Sequence, residues 1–201
     1  MIQYLIVTVL MSLLLTYAPV SQAVDIAAVL KYERVVELTV PVSGVVSNVP
    51  VDEGQHVREG ELLLELEDIP FKAKMDKTAA ELRLLEAERL AMEKELKRNK
   101  ELYQRMVLST VSLDGSELNF IRSDSLWQAK KADYDLARYN YQKSRLIAPF
   151  AGKIIDRAVH PGQTVRAEMH PPVLFRLADV KSFIVEAEVS GEKIGLLAHG
   201  A

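Results

Sequence analysis

Two stretches of this chain repeat each other, and a long segment of different character separates them. Pro41-Val-Ser-Gly44 is followed, ten residues after its glycine, by Gly54-Gln-His-Val-Arg58, and the block closes at Asp68. Pro149-Phe-Ala-Gly152 is followed at the same interval by Gly162-Gln-Thr-Val-Arg166, and that block closes at Asp179 after three extra residues around Ala167–Pro172. Both blocks are rich in short β-branched runs. In the first, Val35-Val36, Leu38, Val40, Val42, Val45-Val46, Val49 and Val51 are broken by Pro41, Gly44, Pro50, Gly54 and Gly60, and Glu61–Glu67 follows as another strand. Stiff Val side chains suit a pleated surface. In the second, strand character returns at Leu146 and runs to Val189. A unit of roughly 30 residues does not bury a face alone, but two such units can share one core as a pseudo-symmetric sandwich. Gly44, Gly54, Gly152 and Gly162 are read as turn glycines, with Gly54 and Gly162 supplying positive φ.

Between the blocks, Phe71 to Ser144 contains no Pro and a single glycine, Gly115, and Ala, Leu, Glu, Lys, Arg and Gln dominate. These are strong helix formers. Met75, Leu82, Arg89, Leu96 and Tyr103 fall on one heptad position, and Thr78, Leu85, Met92, Asn99 and Met106 fall three residues later. That alternation predicts a coiled-coil seam with polar interruptions at Thr78, Arg89 and Asn99. Glu93/Lys97 and Glu101/Arg105 add ion pairs in the favourable order. In a second arm the expected seam is Leu118, Ser125, Ala132 and Tyr139 with Ala129, Leu136 and Lys143, its small residues allowing close approach. Val107–Gly115, rich in β-branched and turn-forming residues, is read as the loop between them. A short loop forces an antiparallel αα-hairpin, each arm about 50 Å long. The fold class is therefore α+β: a β domain built from two sequence halves and interrupted by a long antiparallel coiled-coil hairpin.

Residues 1–23 hold no Asp, Glu, Lys or Arg, and Leu5–Leu15 is a nearly continuous apolar run. Small residues at Ser21 and Ala23 fit a signal-peptidase site after Ala23, although no Lys or Arg precedes the apolar run; the alternative is an uncleaved anchor. Either way residues 24–201 are expected outside the cytoplasm.

Composition narrows the function. There is no Cys, which excludes disulfides, thiolate catalysis, Cys-ligated zinc and a lipid-modified N-terminal Cys. A net charge of −3 argues against a nucleic-acid binder led by a basic field. Residues 71–145 carry 16 Lys plus Arg against 12 Asp plus Glu, so a basic rod stands on an acidic base and is suited to an acidic partner rim. No phosphate-binding glycine motif and no H-E-x-x-H occurs, and His56, His160, His170 and His199 lack metal-site spacing. Met75, Met92 and Met106 are assigned to core packing rather than to a soft-metal site. The expectation is a non-enzyme with no cofactor and no metal.

The split repeat around a hairpin resembles the periplasmic adaptor, or membrane fusion protein, family of tripartite efflux and secretion systems (HlyD-type and RND efflux adaptors). The resemblance rests on Val45-Val46 through Gly54-Gln-x-Val-Arg, Ala148-Pro-Phe-Ala-Gly152 and Gly162-Gln-Thr-Val-Arg166, and covers roughly residues 35–195. It implies a lipoyl-like, or barrel-sandwich hybrid, domain from residues 35–69 and 146–180, with the hairpin, residues 70–145, standing where carrier domains have their modified lysine turn. It also implies a docking motif, Arg-x3-Leu-x6-Ser, which Arg98, Leu102 and Ser109 match, directed at a TolC-like outer-membrane channel. Arg offers a planar multi-donor head, Leu an apolar plug, and Ser109 a helix cap. Other implied contacts are self-association in a ring and an inner-membrane efflux transporter. Family members reach that transporter through domains beyond this point, whereas here residues 181–201 hold one strand, Phe183–Val189, and one short helix, Ser190–Leu197, of a β-barrel. The expectation is a truncated or minimal adaptor. The competing readings are a stand-alone coiled-coil interaction protein and a lipoyl or biotinyl carrier, the latter disfavoured because Asp68-Ile-Pro-Phe71 and the hairpin occupy the place of the carrier lysine.

Overall fold

The computed structural model describes residues 28–168 and 171–187. The expected export segment, residues 1–23, and the expected helix Ser190–Leu197 lie outside the described residues. The chain divides into two units. Of the smaller, the described residues form a two-stranded sheet of β1 (Ala28–Tyr32) and β10 (Phe183–Ala187), with Lys31 paired to Glu186.

The larger unit, Tyr32–Ser182, holds the repeat and the hairpin. Its strands are β2 (Val35–Leu38), β3 (Gly44–Asn48), β4 (His56–Val57), β5 (Leu62–Leu66), β6 (Arg145–Ile147), β7 (Gly152–Arg157), β8 (Thr164–Val165) and β9 (Phe175–Ala178). They form two four-stranded antiparallel sheets, ordered β2-β9-β7-β4 and β6-β5-β3-β8. Exchanging each strand for its repeat counterpart (β2 for β6, β3 for β7, β4 for β8, β5 for β9) turns the first order into the second. Each sheet therefore takes strands from both halves, and the two halves make one domain by interleaving rather than by stacking.

The repeated glutamine has a structural role in this arrangement. Asp52 N–H donates to the Gln55 side-chain oxygen at 3.0 Å, and His160 N–H donates to that of Gln163 at 3.1 Å. Gly54 N–H donates to Ile154 O at 2.7 Å and Gly162 N–H to Val46 O at 2.8 Å, so each turn is anchored on the other half's strand. Both glycines sit at φ +84° in these turns. Gly44 and Gly152 differ from the turn role expected of them: each is the first residue of a strand. A Cβ at Gly152 would collide with the Ala178 carbonyl, and one at Gly44 would lie 3.1 Å from Leu66 Cδ1. Close approach, not positive φ, is what requires glycine at these two positions.

The core lies between the sheets. Val40, Leu63, Leu64, Leu66, Ile154, Val159, Val165, Leu174, Phe175 and Leu177 are fully enclosed. Val40 and Ala148, at matching places in the repeat, are both buried.

From Asp68 the chain leaves the sheet into α1 (Ile69–Gln104), which starts with a proline in its first turn and returns as α2 (Thr110–Lys143). At about 1.5 Å per residue, each helix runs roughly 50 Å. On α1 the expected seam is found from Met75 to Asn99, every member half-buried or buried. It ends earlier than expected: Tyr103 is 41% exposed and Met106 96% exposed, while Leu102 turns inward. On α2 the expected row of Leu118, Ser125, Ala132, Tyr139, Ala129, Leu136 and Lys143 is exposed. The residues facing α1 are Leu113, Phe120, Trp127, Tyr134 and Tyr141, alternating with Ser116, Ser123, Lys130, Ala137 and Ser144. This seam is a strict heptad too, but one position is aromatic-rich and the other small or polar. Arg89 occupies a seam position, with Asp124 at 3.8 Å, Glu93 at 3.6 Å and the Trp127 ring at 5.0 Å. Lys130 reaches Glu81 at 3.1 Å and Asp133 at 3.0 Å, and these acceptors, Asp133 first, raise its pKa above the ordinary value.

Candidate functional site at the hairpin tip

The tip is built by two caps and one left-handed residue. At the end of α1, Arg105 N–H donates to Glu101 O at 3.2 Å and Val107 N–H to Leu102 O at 3.0 Å. Met106 takes φ +60°, and its N–H donates to Tyr103 O at 2.9 Å, which turns the chain sharply out of the helix. Ser109 then opens α2: it is extended, and its hydroxyl accepts from Ser112 N–H at 3.2 Å. Thr110 Oγ1 donates to the Tyr103 hydroxyl at 3.4 Å across the turn. Lys100 and Glu117, 3.1 Å apart, tie the arms just below. The loop is therefore Arg105–Ser109, shorter than the expected Val107–Gly115, and Gly115 lies inside α2. Ser109 begins the helix so firmly that the roughly 1 kcal/mol cost of a helical glycine does not delay it.

Ser109 is exposed at the turn. Leu102 is half-buried against the end of the seam. Arg98 is exposed on α1, one helical turn below Leu102 and about 9 Å of helix rise from its end. Arg98 and Leu102 are neighbours on one helix, and Ser109 stands across the turn from them. The most prominent surface at the tip is one that the sequence reading misses: Met106 at 96%, Val111 at 80% and Val107 at 70% exposure form an apolar cap. The available signal is the Met-Val-Leu run after Arg105, which the heptad assignment of Met106 and the loop assignment of Val107 split in two. Among the described residues no group of three His, Asp or Glu is placed to hold a metal, and no helix is long and apolar enough to cross a membrane.

Residues 34–179, the whole of the two-sheet lobe and its hairpin, match the CzcB-like barrel-sandwich hybrid domain. The chain belongs to this family. Among its relatives, the macrolide export protein MacA of Escherichia coli O157:H7 is 29% identical over 171 aligned positions, covering 78% of this chain and 46% of that protein. The pyoverdine export membrane fusion protein PvdR of Pseudomonas putida is 26% identical, covering 92% and 51%. The chain thus spans about half the length of the curated relatives it matches. Among solved structures, a MacA–MexA chimera carrying the Pseudomonas aeruginosa MexA α-hairpin superposes with a TM-score of 0.57 at 23% identity, covering 85% of this chain and 57% of that one. The membrane fusion protein Spr0693 of Streptococcus pneumoniae R6 superposes at 0.62 with 11% identity, covering 87% and 72%. The resemblance to membrane fusion proteins read from the split repeat and the α+β fold class are both borne out, with the barrel-sandwich hybrid lobe carrying the hairpin between its halves.

Proposed function

We propose that this chain acts as a periplasmic adaptor of a tripartite efflux or secretion system. In this reading the hairpin tip docks on a TolC-like outer-membrane channel, the barrel-sandwich hybrid lobe packs side by side with other copies in a ring, and an inner-membrane transporter is the third component. The work is mechanical: the chain spans a gap and seals a conduit, and no bond is made or broken. One observation carries it: a stiff arm about 50 Å long ends in a small apolar cap of Met106, Val107 and Val111, with Arg98 below and Ser109 holding the turn. Met106 and Val111 are the two most exposed large apolar side chains among the described residues, and both lie at the far end of the arm, where an arm built only for solubility has no reason to place them.

The chain has no Cys, so Val107→Cys introduces a single thiol at the tip and leaves the Ser109 cap intact. A thiol-directed photocross-linker in a Gram-negative envelope, with mass spectrometry of the adduct, is expected to capture an outer-membrane channel. The yield is expected to fall when Arg98→Ala is added. An exported, folded protein that yields no channel adduct sinks the docking claim and leaves a stand-alone coiled-coil interaction protein.

A further inference from the structure

The fold gives no reason for a methionine at position 106. Met106 takes φ +60°, the left-handed conformation that closes α1, where glycine or asparagine is the usual residue because a larger side chain is strained there. Its backbone serves the turn by donating to Tyr103 O at 2.9 Å, a bond that any residue but proline makes. Its side chain is 96% exposed and so contributes no burial to the hairpin. What methionine adds that glycine lacks is a flexible apolar chain with an accessible thioether.

That thioether stands apart from its neighbours in the arm. The described residues hold Met75, Met92 and Met106, and the first two are half-buried in the seam between the helices. The chain has no Cys, so no thiol competes for an oxidant. Around Met106 the tip is apolar: Val107 is 70% and Val111 80% exposed. Adding an oxygen to this sulfur converts an apolar side chain into a polar, chiral one within that cap. The hairpin itself loses no packing by it, because the side chain stands almost wholly in solvent.

We propose that Met106 is a reversible oxidation site, and that its sulfoxide is a polar, low-affinity form of the tip. The oxidant is a two-electron oxygen donor, hydrogen peroxide in the simplest case. A sulfur lone pair attacks one peroxide oxygen, and the S–O bond forms as the O–O bond breaks. The departing hydroxide takes the proton left on the transferred oxygen and leaves as water. Sulfur is oxidised by two electrons and the peroxide is reduced by two. A dithiol-dependent methionine sulfoxide reductase returns the thioether, the oxygen leaving as water and the dithiol becoming a disulfide. The oxidation site stands on exposure and chemistry alone; its effect on affinity rests on the channel-docking reading above.

The first measurement uses the purified chain, dilute hydrogen peroxide and trypsin. Trypsin cuts after Arg89, Lys94, Arg105 and Arg122, so Met92 and Met106 arrive in separate peptides, 90–94 and 106–122. In the folded chain the sulfoxide at Met106 is expected to form on the order of tenfold faster than that at Met92, and in urea at a similar rate. Equal rates in a folded chain that keeps its helical circular dichroism, or an unchanged ratio in urea, would overturn the site. Dithiothreitol with reductases for both sulfoxide epimers is expected to remove the oxygen, and a sulfoxide that resists them overturns the reversibility.

The second measurement tests the consequence. In the envelope cross-linking from Val107→Cys, with the linker attached before treatment, peroxide is expected to lower the channel adduct on the order of tenfold. Met106→Leu is expected to remove the response to peroxide, and Met106→Gln, polar without any oxidant, to reproduce the loss. An adduct that falls equally in the parent and in Met106→Leu, or that survives in full in Met106→Gln, would overturn the switch. No channel adduct in the untreated parent would remove the docking reading instead and leave the peptide rates to decide the oxidation site.

Discussion

The lobe and the hairpin are held together in different ways. In the lobe, Phe175, Leu63, Leu64, Leu66, Ile154 and Leu177 have no exposed surface, and two sheets close on them from both sides. In the hairpin the only fully buried residues of the helices are Thr78, Ser116 and Ala137, all small, and the large seam residues are covered on one side only. Two helices have one mutual contact line and two open flanks, so burial there stops halfway. The lobe is a complete core, whereas the hairpin is a single packed seam with exposed leucines (Leu84, Leu118, Leu136) on its outer faces.

The sharpest way to break this comparison is a matched pair of truncations followed by chemical denaturation. Phe175→Ala is expected to cost about 3–5 kcal/mol, the range for emptying an aromatic site in a closed core. Leu85→Ala, on a half-covered seam, is expected to cost about 1–2 kcal/mol. Equal losses would show that the seam is a closed core too. A smaller effect tests the symmetry within the lobe. Gln55→Ala and Gln163→Ala each remove the acceptor of one turn hydrogen bond and are each expected to cost about 1 kcal/mol. Unequal costs would mean that the two halves, although equivalent in geometry, are not equivalent in energy. The smallest effect is in the hairpin. Lys130 has its pKa raised by Asp133 and Glu81 above the ordinary 10.5. Its stabilising contribution is therefore complete below 10.5 and is lost as pH rises through the higher folded value. Stability followed through that alkaline range is expected to fall less steeply in Asp133→Asn than in the parent chain. Identical slopes would show that this exposed cluster contributes nothing.

The hairpin and the lobe were unequally legible. Both halves of the repeat could be read because their glycines and Gln55 and Gln163 recur at fixed spacing, although spacing alone did not reveal that each glutamine caps its own turn. Nor did it separate Gly54 and Gly162, which need positive φ, from Gly44 and Gly152, which need the space of a missing Cβ. The first seam was legible because Leu82, Leu85 and Met92 have no rival row of comparable strength on α1. On α2 two rows compete. The exposed one carries Leu118, Leu136 and Tyr139, while the packed one is interrupted by Ser116, Ser123 and Lys130. Hydropathy ranks the wrong one first, because which face is covered depends on the partner helix and not on the helix itself. At the tip, Val111 and Gly115 lower helix propensity and suggest a loop, but the Ser109 cap and the contact with α1 outweigh them.

The interleaving of the two halves also has a consequence for how the molecule is made. β2 and β4 pair only with β9 and β7, which lie on the far side of the hairpin in sequence. At ribosomal speeds, the interval between making Val57 and making its partner strand at Gly152 is roughly 5–20 s. During that time the hairpin, whose contacts are local, can zip up and β3 can pair with β5, whereas β2 and β4 remain without a partner strand. The insertion that gives the arm its reach thus imposes a delay on every newly synthesised copy, in which β2 and β4 must be kept from pairing with anything else.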